Sequence, residues 1–469
     1  MTTPDQPRTP LAGVERALVI GLGASGAAAA RALRDAGVAV TMVDDRPDHP
    51  AAAELADSGI EVALGVAPVQ RVDGADLVVP SPGVPEHAPV LVRADQLDVP
   101  VWSEPELGAR LFPRRLLAVT GTNGKTSTTE LLAAMLRAGG LDARTCGNIG
   151  VPFTAAAAEA PADAVLVAEL SSFQLRFVQQ LRPEVGVLLN LAADHLDWHP
   201  SLAAYGEAKA RLWHAQQPGD WAVANARDPL TRQLAERLAP AGRAHFDGAG
   251  AVDGHGVGVR DGALVADTPA FHGRVVALDE LPLDAPHHRA NVAAAAAAAL
   301  LAGVPADAVA GAARAYHPGR HRLELVAELD GVRYVDDSKA TNVHAAAAAL
   351  HSAPSIVWVA GGLAKGVDLS ALAADLGAVR HAVLIGTAAE ELAGVCAGAG
   401  VPAQIADSIE DAVVAAARQA RPGDTVLLAP ACASFDQFAG YAERGERFAA
   451  AVQALRPTTA PEGGHGGEA

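Results

Sequence analysis

The sequence predicts an α/β protein of three domains: Rossmann-like at the N-terminus, phosphate-loop ATPase-like with a parallel sheet in the centre, and Rossmann-like again at the C-terminus. Three observations carry this. Short runs rich in Val, Ile and Leu alternate with helical patterns over most of the chain, as expected of helices packed on parallel sheets. Glycine-rich turns follow the first such run and again the run ending at Thr120. Finally, 469 residues exceed one ordinary core, and roughly three domains is the natural division.

In the N-terminal part, strands are expected at 17–20, 38–43, 60–64, 77–79 and 99–102. Between the first two lie Gly21-x-Gly23-x-x-Gly26 and a helix to Ala36, and the second strand ends at Asp44-Asp45-Arg46. This is a mononucleotide-binding βαβ arrangement. The central part begins with the apolar run 116–119, followed by Thr120-Gly121-Thr122-Asn123-Gly124-Lys125-Thr126 and an amphipathic helix. Buried parallel strands are expected at 164–168 and 185–189, then a β-rich stretch at 248–278 and a helix containing the run Ala293 to Ala299. Alanine has the highest helix propensity, so that run reads as a closely packed helix. Beyond Gly319, strands are expected at 331–335, 356–360, 382–385 and 426–428. Domain boundaries fall near 112 and 318, giving 1–112, 113–318 and 319–455, with a Pro/Gly/Glu-rich tail at 456–469 expected to be disordered.

Composition excludes several function classes. Half the residues are hydrophobic and 19% charged, which is globular. A net charge of −18 argues against a non-specific nucleic-acid binder. Three widely spaced cysteines, Cys146, Cys396 and Cys432, form neither a disulfide framework nor a zinc pattern, which fits a reducing cytoplasm. The polar, proline-rich start is unlike a signal peptide, and no apolar run reaches the ~18 residues of a membrane span.

The turn at 120–126 has the chemistry of a polyphosphate cradle. Backbone N–H groups at the helix start and the Lys125 side chain meet phosphate oxygens, and the Thr126 hydroxyl is placed to ligate Mg²⁺. Val119 stands where the general phosphate-loop pattern has glycine. Gly21, Gly23 and Gly26 with Asp44 match a dinucleotide fingerprint, but the same geometry holds any nucleotide diphosphate. Two nucleotide loops in one chain point to one nucleotide that supplies energy and another that serves as a handle.

Glu169 ends an expected strand, where a carboxylate near the phosphate loop can hold Mg²⁺. Asp194-His195 follows the strand ending at Asn190 and reads either as a second metal site or as a capped loop. Lys209 lies on a helix, where lysine is ordinarily a solvated surface residue. Three polar turns follow strands of the last domain: Asp336-Asp337-Ser338-Lys339-Ala340-Thr341-Asn342, Gly361-Gly362-Leu363-Ala364-Lys365-Gly366 and Ala431-Cys432-Ala433-Ser434-Phe435-Asp436-Gln437-Phe438. Each alone is a turn; at one edge of one sheet they would form a pocket for an anionic ligand.

Together with Gly147-Asn148-Ile149-Gly150 and Glu169-Leu170-Ser171-Ser172-Phe173-Gln174-Leu175, and in this order, these residues resemble the Mur ligase family of peptidoglycan synthesis, most closely its D-glutamate-adding branch. The resemblance runs from about Leu18 to Phe448. It implies an ATP-dependent amide ligase that activates the carboxylate of UDP-N-acetylmuramoyl-L-alanine as an acyl phosphate. The amine of D-glutamate attacks, and a tetrahedral intermediate expels phosphate, with no enzyme nucleophile.

The resemblance also implies roles. Gly121, Thr122, Asn123, Gly124, Lys125 and Thr126 hold the ATP phosphates, and Asn291, Arg322, Asp337 and Lys339 also face ATP. Two Mg²⁺ ions sit at Thr126, Glu169 and His195, with Lys209 carbamylated by CO₂ beside them. Gly23, Ala24 and Ser25 take the substrate diphosphate, Asp44 and Arg46 the uracil, Ser81-Pro82-Gly83 the neighbouring wall, and Asn148 the muramoyl portion, while His195 also meets this substrate. Lys339, Thr341, Lys365 and Ser434, with the backbone near Tyr441, grip D-glutamate. A monomer is expected. Asp45 and His288 depart from the family, which often has Thr and Asn there. Alternatives are another ligase of the superfamily, a folylpolyglutamate synthetase, a nucleotide sensor without turnover, or an NAD dehydrogenase, the last leaving the phosphate loop unexplained.

Overall fold

The computed structural model describes residues 10–195, 198–283, 285–364 and 366–455. By internal packing the chain divides into two compact units, the first ending at Tyr316 and the second beginning at His317.

The first unit holds two sheets. One is four-stranded and parallel, in the order Glu61–Leu64, Ala39–Asp44, Arg16–Ile20, Leu77–Pro80. Ile20 pairs with both Val43 and Pro80, so the Gly21 turn emerges between Asp44 and Ser81. Helix Ala24–Asp35 buries its alanine face and Leu33. The strand expected at 99–102 does not form. Only a bridge between Val78 and Val101 remains, because Pro100 has no N–H to donate and Ser103 already caps the next helix, Glu104–Leu111, by accepting from the Glu106 N–H.

The second sheet has nine strands. Six run parallel from Ala143–Gly147 at one edge through Val165–Glu169, Arg115–Thr120, Val185–Leu188 and Trp221–Asn225 to Gly242–Phe246. Gly256–Arg260 then pairs parallel with Gly242–Phe246, and the sheet ends in an antiparallel meander through Ala263–Thr268 and Phe271–Ala277. Helix Pro286–Leu301 lies beneath the sheet with Ala293 to Ala299 fully buried. Its thin side chains pack against Leu131, Leu132 and Met135 of helix Lys125–Ala138.

Helix Glu104–Leu111 joins the two cores: Leu107 packs with the four-stranded sheet, and Ala109 and Phe112 pack with the nine-stranded one. Two buried carboxylates bolt it down. Glu106 accepts from the backbone N–H groups of Gln179, Gln180 and Leu181 and from Arg110. Glu104 accepts from the Thr154 N–H through Oε1, while its buried Oε2 has no partner among the described residues.

The second unit holds a six-stranded sheet in the order Glu324–Leu329, Val332–Asp336, Thr425–Leu428, Ile356–Gly361, Val379–Ile385, Ala403–Ile405. The first pair is an antiparallel hairpin across Asp330-Gly331, and the others are parallel. Of that hairpin, only the second strand is expected from the sequence. Apolar clusters lie on both faces. No helix among the described residues is long and apolar enough to cross a membrane. All three cysteines are buried and free. The tail at 456–469 lies outside the described residues.

Burial pushes the Glu104 carboxyl up to about 7, against the hydrogen bonds from Thr154 that hold it down. The folded chain therefore binds this proton more tightly than the unfolded chain, whose glutamate titrates near 4.5. The stability it contributes is complete below that value and is lost as pH rises through about 7. Glu104→Gln should raise the thermal midpoint relative to wild type at pH 8 and change it little at pH 4.5; equal effects at both would show that the carboxyl does not titrate in this range.

Candidate active site

The phosphate loop emerges between two parallel neighbours of strand Arg115–Thr120. Gly121 has φ +154°, and a Cβ there would come within 2.8 Å of Leu189. Gly124, at φ +83°, caps helix Lys125–Ala138, and a Cβ on it would lie 2.4 Å from Asn291 Oδ1. Asn291 therefore packs directly on the loop. The loop is also tied to the next strand end: the Asn123 N–H donates to Asn190 Oδ1 at 2.9 Å, and Asn190 Nδ2 donates to the Asn123 carbonyl at 3.1 Å. Lys125 Nζ donates to the carbonyls of Gly121 and Thr122 at 2.9 and 2.7 Å. Thr126 stands in the first turn of the helix.

Lys209 is not a surface lysine. It is 1% exposed, and its Nζ donates to the Gly121 carbonyl at 2.8 Å and lies 4.5 Å from the Tyr205 ring centroid. Burial holds its pKa well below the lysine range, with the Lys125 charge adding to the effect, while Asp194 and Glu169 oppose it. Glu169, 2% exposed, accepts from Asn148 Nδ2 at 2.8 Å through Oε1, and its buried Oε2 has no partner among the described residues. A carboxylate oriented by one amide and left with a spare buried oxygen suits a hard cation such as Mg²⁺.

His195 has φ +53°, and its backbone N–H donates to Asp194 Oδ1 at 3.0 Å. Its ring meets Phe173 edge-on at 4.9 Å within an aromatic group that includes Trp198, His199 and Tyr205. Leu196 and Asp197 lie outside the described residues. His288, one of the departures, is buried with its ring parallel to Tyr316.

Around the first glycine turn, a Cβ on Gly26 would collide with the Gly21 carbonyl at 2.0 Å, so the helix sits directly on the turn. Gly23 precedes that helix in extended backbone with no side-chain cap, which leaves the N–H groups of Ala24 and Ser25 at an open N-terminus. Asp44 faces inward. Its oxygens accept from the Leu22 N–H at 2.9 Å and from the Arg46 guanidinium at 2.7 Å, and Arg46 holds its pKa far below the carboxylate range. Arg46 itself is exposed, as is Asp45. A pocket brings Ser81 and Glu104 together with Phe173, Gln174 and Trp198, and Gly83 lies in the adjoining turn.

In the second unit the three polar turns do leave one sheet edge, from the adjacent strands Val332–Asp336, Thr425–Leu428 and Ile356–Gly361. Lys339 Nζ donates to the Tyr441 hydroxyl at 3.1 Å. Asp337 Oδ1 accepts from the Leu323 N–H, and burial raises its carboxyl to about 7. Thr341 follows on the same turn, its N–H donating to the Lys339 carbonyl. Ser434 is buried, and Arg322 stands next to His321 at the start of the hairpin. Lys365 lies outside the described residues.

Sequence reasoning missed three residues. Asn190 ties down the phosphate loop. His199, four residues beyond His195, places Nε2 2.9 Å from Ser172 Oγ, and burial lowers its pKa to about 4; a second histidine in the same turn was the available signal. Arg444 is fully buried and tied to all three turns of the second unit. It donates to Ser338 Oγ and the Ser338 carbonyl, to the Gly361 carbonyl and to the Cys432 carbonyl. Nothing local in its helix marked it.

Arg444→Met should cost on the order of 3 kcal/mol, because several buried carbonyls lose their donor at once. Amide hydrogen exchange should then rise together in the turns after Asp336, Gly361 and Ala431. A rise in one turn alone would show that the guanidinium does not tie them.

Family models match three segments: a Mur ligase MurD-like N-terminal domain at residues 15–103, a Mur ligase middle domain at 119–299, and a Mur ligase glutamate ligase domain at 321–432. The UDP-N-acetylmuramoylalanine–D-glutamate ligase of Frankia casuarinae is 50% identical over 446 residues, covering 93% of each chain. That of Thermobifida fusca is 42% identical over 94% of this chain and 98% of its own. The crystal structure of UDP-N-acetylmuramate–alanine ligase from Thermotoga maritima shares the fold with a TM-score of 0.58 at 18% identity, over 94% of this chain and all of that one. This chain belongs to the Mur ligase family, among relatives of the D-glutamate ligase branch.

Proposed function

We propose that this chain is a cytoplasmic, ADP-forming ligase that joins D-glutamate to UDP-N-acetylmuramoyl-L-alanine. The observation that carries the reading is the Lys209 amine, buried against the Gly121 carbonyl of the phosphate loop. A loop that only bound nucleotide would have no use for a buried lysine there. The relatives named as D-glutamate ligases at 42–50% identity over nearly the whole chain support the substrate pair.

The loop N–H groups and Lys125 hold the ATP phosphates, with Asn291 alongside, while the γ-phosphoryl moves to the substrate carboxylate. Thr126, Glu169 and His195, with Lys209, would hold two Mg²⁺ ions; bound there, the ions neutralise charge developing on the phosphates. An unprotonated buried amine is the form that adds to CO₂, forming a carbamate and releasing a proton. Asn148 orients Glu169 and would meet the muramoyl group. Gly23, Ala24 and Ser25 hold the diphosphate, Arg46 with Asp44 the uracil, and the Ser81 to Gly83 turn the adjoining wall. Arg322, Asp337 and Lys339 face the nucleotide. Lys339, Thr341, Lys365, Ser434 and the backbone near Tyr441 grip the two carboxylates of D-glutamate, so that its amine attacks the acyl phosphate. We assign the three functions to 1–112, 113–318 and 319–455, acting in a monomer.

Phosphate release measured with ATP, UDP-N-acetylmuramoyl-L-alanine and either D-Glu, L-Glu, L-Ala or meso-diaminopimelate should occur with D-Glu. Turnover only with another amino acid would move the chain to a different branch, and none with any would favour a sensor. Lys209→Ala should lose activity by roughly a hundredfold or more, and short-chain carboxylates should restore part of it. Wild-type rates in that variant would exclude the carbamate.

A further inference from the structure

Arg322 is carried on a turn strained on both sides. His321 has φ +63° and Leu323 φ +48°, left-handed values uncommon for histidine and strained for leucine, which the surroundings must hold in place. Four hydrogen bonds do so. The His321 N–H donates to Glu324 Oε2 at 2.8 Å, and its ring Nδ1 lies 2.6 Å from Asp336 Oδ2. The His321 carbonyl accepts from the Lys339 N–H at 3.2 Å, and the Leu323 N–H donates to Asp337 Oδ1 at 3.1 Å.

The imidazole is buried and meets Tyr441 edge-on at 6.1 Å. It lies against helix Tyr441–Ala454 at the one point where a side chain could not fit: a Cβ on Gly445 would come within 2.2 Å of Nδ1. His321, Glu324 and Asp336 are close enough to suggest a metal site. However, two tetrahedral ligands of one ion stand about 3.4 Å apart, and the 2.6 Å between Nδ1 and Oδ2 is instead a hydrogen bond.

We propose that His321 is a positioning residue for the nucleotide. Held by Asp336 and seated against Tyr441 and Gly445, it sets the left-handed turn that presents Arg322. Through its carbonyl it also fixes the turn that carries Lys339. This rests on the reading that Arg322 and Lys339 face ATP.

The test measures KM for ATP, kcat and the thermal midpoint of the full chain. His321→Ala should raise the ATP KM roughly tenfold while kcat changes less. His321→Asn should recover most of this, because asparagine tolerates the left-handed region and places Nδ2 where imidazole has Nδ1. His321→Gly, which accepts the backbone but lacks the donor, should stay impaired; wild-type kinetics there would overturn the role of the ring. Gly445→Ala crowds the ring and the Asp336 carboxylate while leaving residue 321 a histidine, and should raise the ATP KM even where His321→Ala folds poorly. An unchanged ATP KM in both His321→Ala and Gly445→Ala, with Arg322→Ala impaired, would overturn the positioning role alone. An unchanged ATP KM in Arg322→Ala would overturn the nucleotide reading and this role with it.

Discussion

Parallel strands all leave a sheet at the same edge, and that constraint organises the chemistry of both units. In the first, adjacent parallel strands end at Thr120, Glu169 and Leu188. The phosphate loop, the Glu169 carboxylate and the Asn190 clamp therefore gather at one place, although the sequence separates them by dozens of residues. In the second, the same rule collects the turns after Asp336, Gly361 and Leu428. Helices on both faces make such sheets stable, and they leave the strand ends as the natural site for ligands.

Each edge carries a buried basic side chain bonded to backbone carbonyls rather than to a carboxylate. Lys209 reaches the Gly121 carbonyl, and Arg444 reaches those of Ser338, Gly361 and Cys432. Glycines at positive φ, Gly121 and Gly361 among them, let the chain turn sharply enough to aim these carbonyls inward. A lysine in such a site gives up its proton readily, whereas an arginine stays charged and acts as a fixed fork. Burial lowers the pKa of both, to about 10 for Arg444.

Much of the fold was legible because its signals are local. The strands ending at Ile20, Thr120 and Glu169 are apolar runs, and the glycine turns after the first two announce helix starts. The failures have equally local causes. Pro100 and the Ser103 cap removed a strand whose apolar residues suggested one. The strand Glu324–Leu329, with glutamates at 324 and 328, has no distinct alternation of its own, and pairing with its neighbour makes it a strand. In the candidate site, motif residues were visible from their spacing. Asn190, His199 and Arg444 were not, since each acts through a partner distant in sequence or through burial.

The two glycine-rich turns, the order of the polar turns and the family were set by the sequence alone, because each depends on short runs whose backbone needs are local. The tertiary structure alone decided the state of the charged groups. Whether a lysine is solvated or buried, whether a carboxylate keeps a spare oxygen, and whether a histidine is held in a left-handed turn depend on which atoms surround it. Desolvation and hydrogen bonding are set by packing across the sheet edge, and no pattern along the chain encodes them one residue at a time.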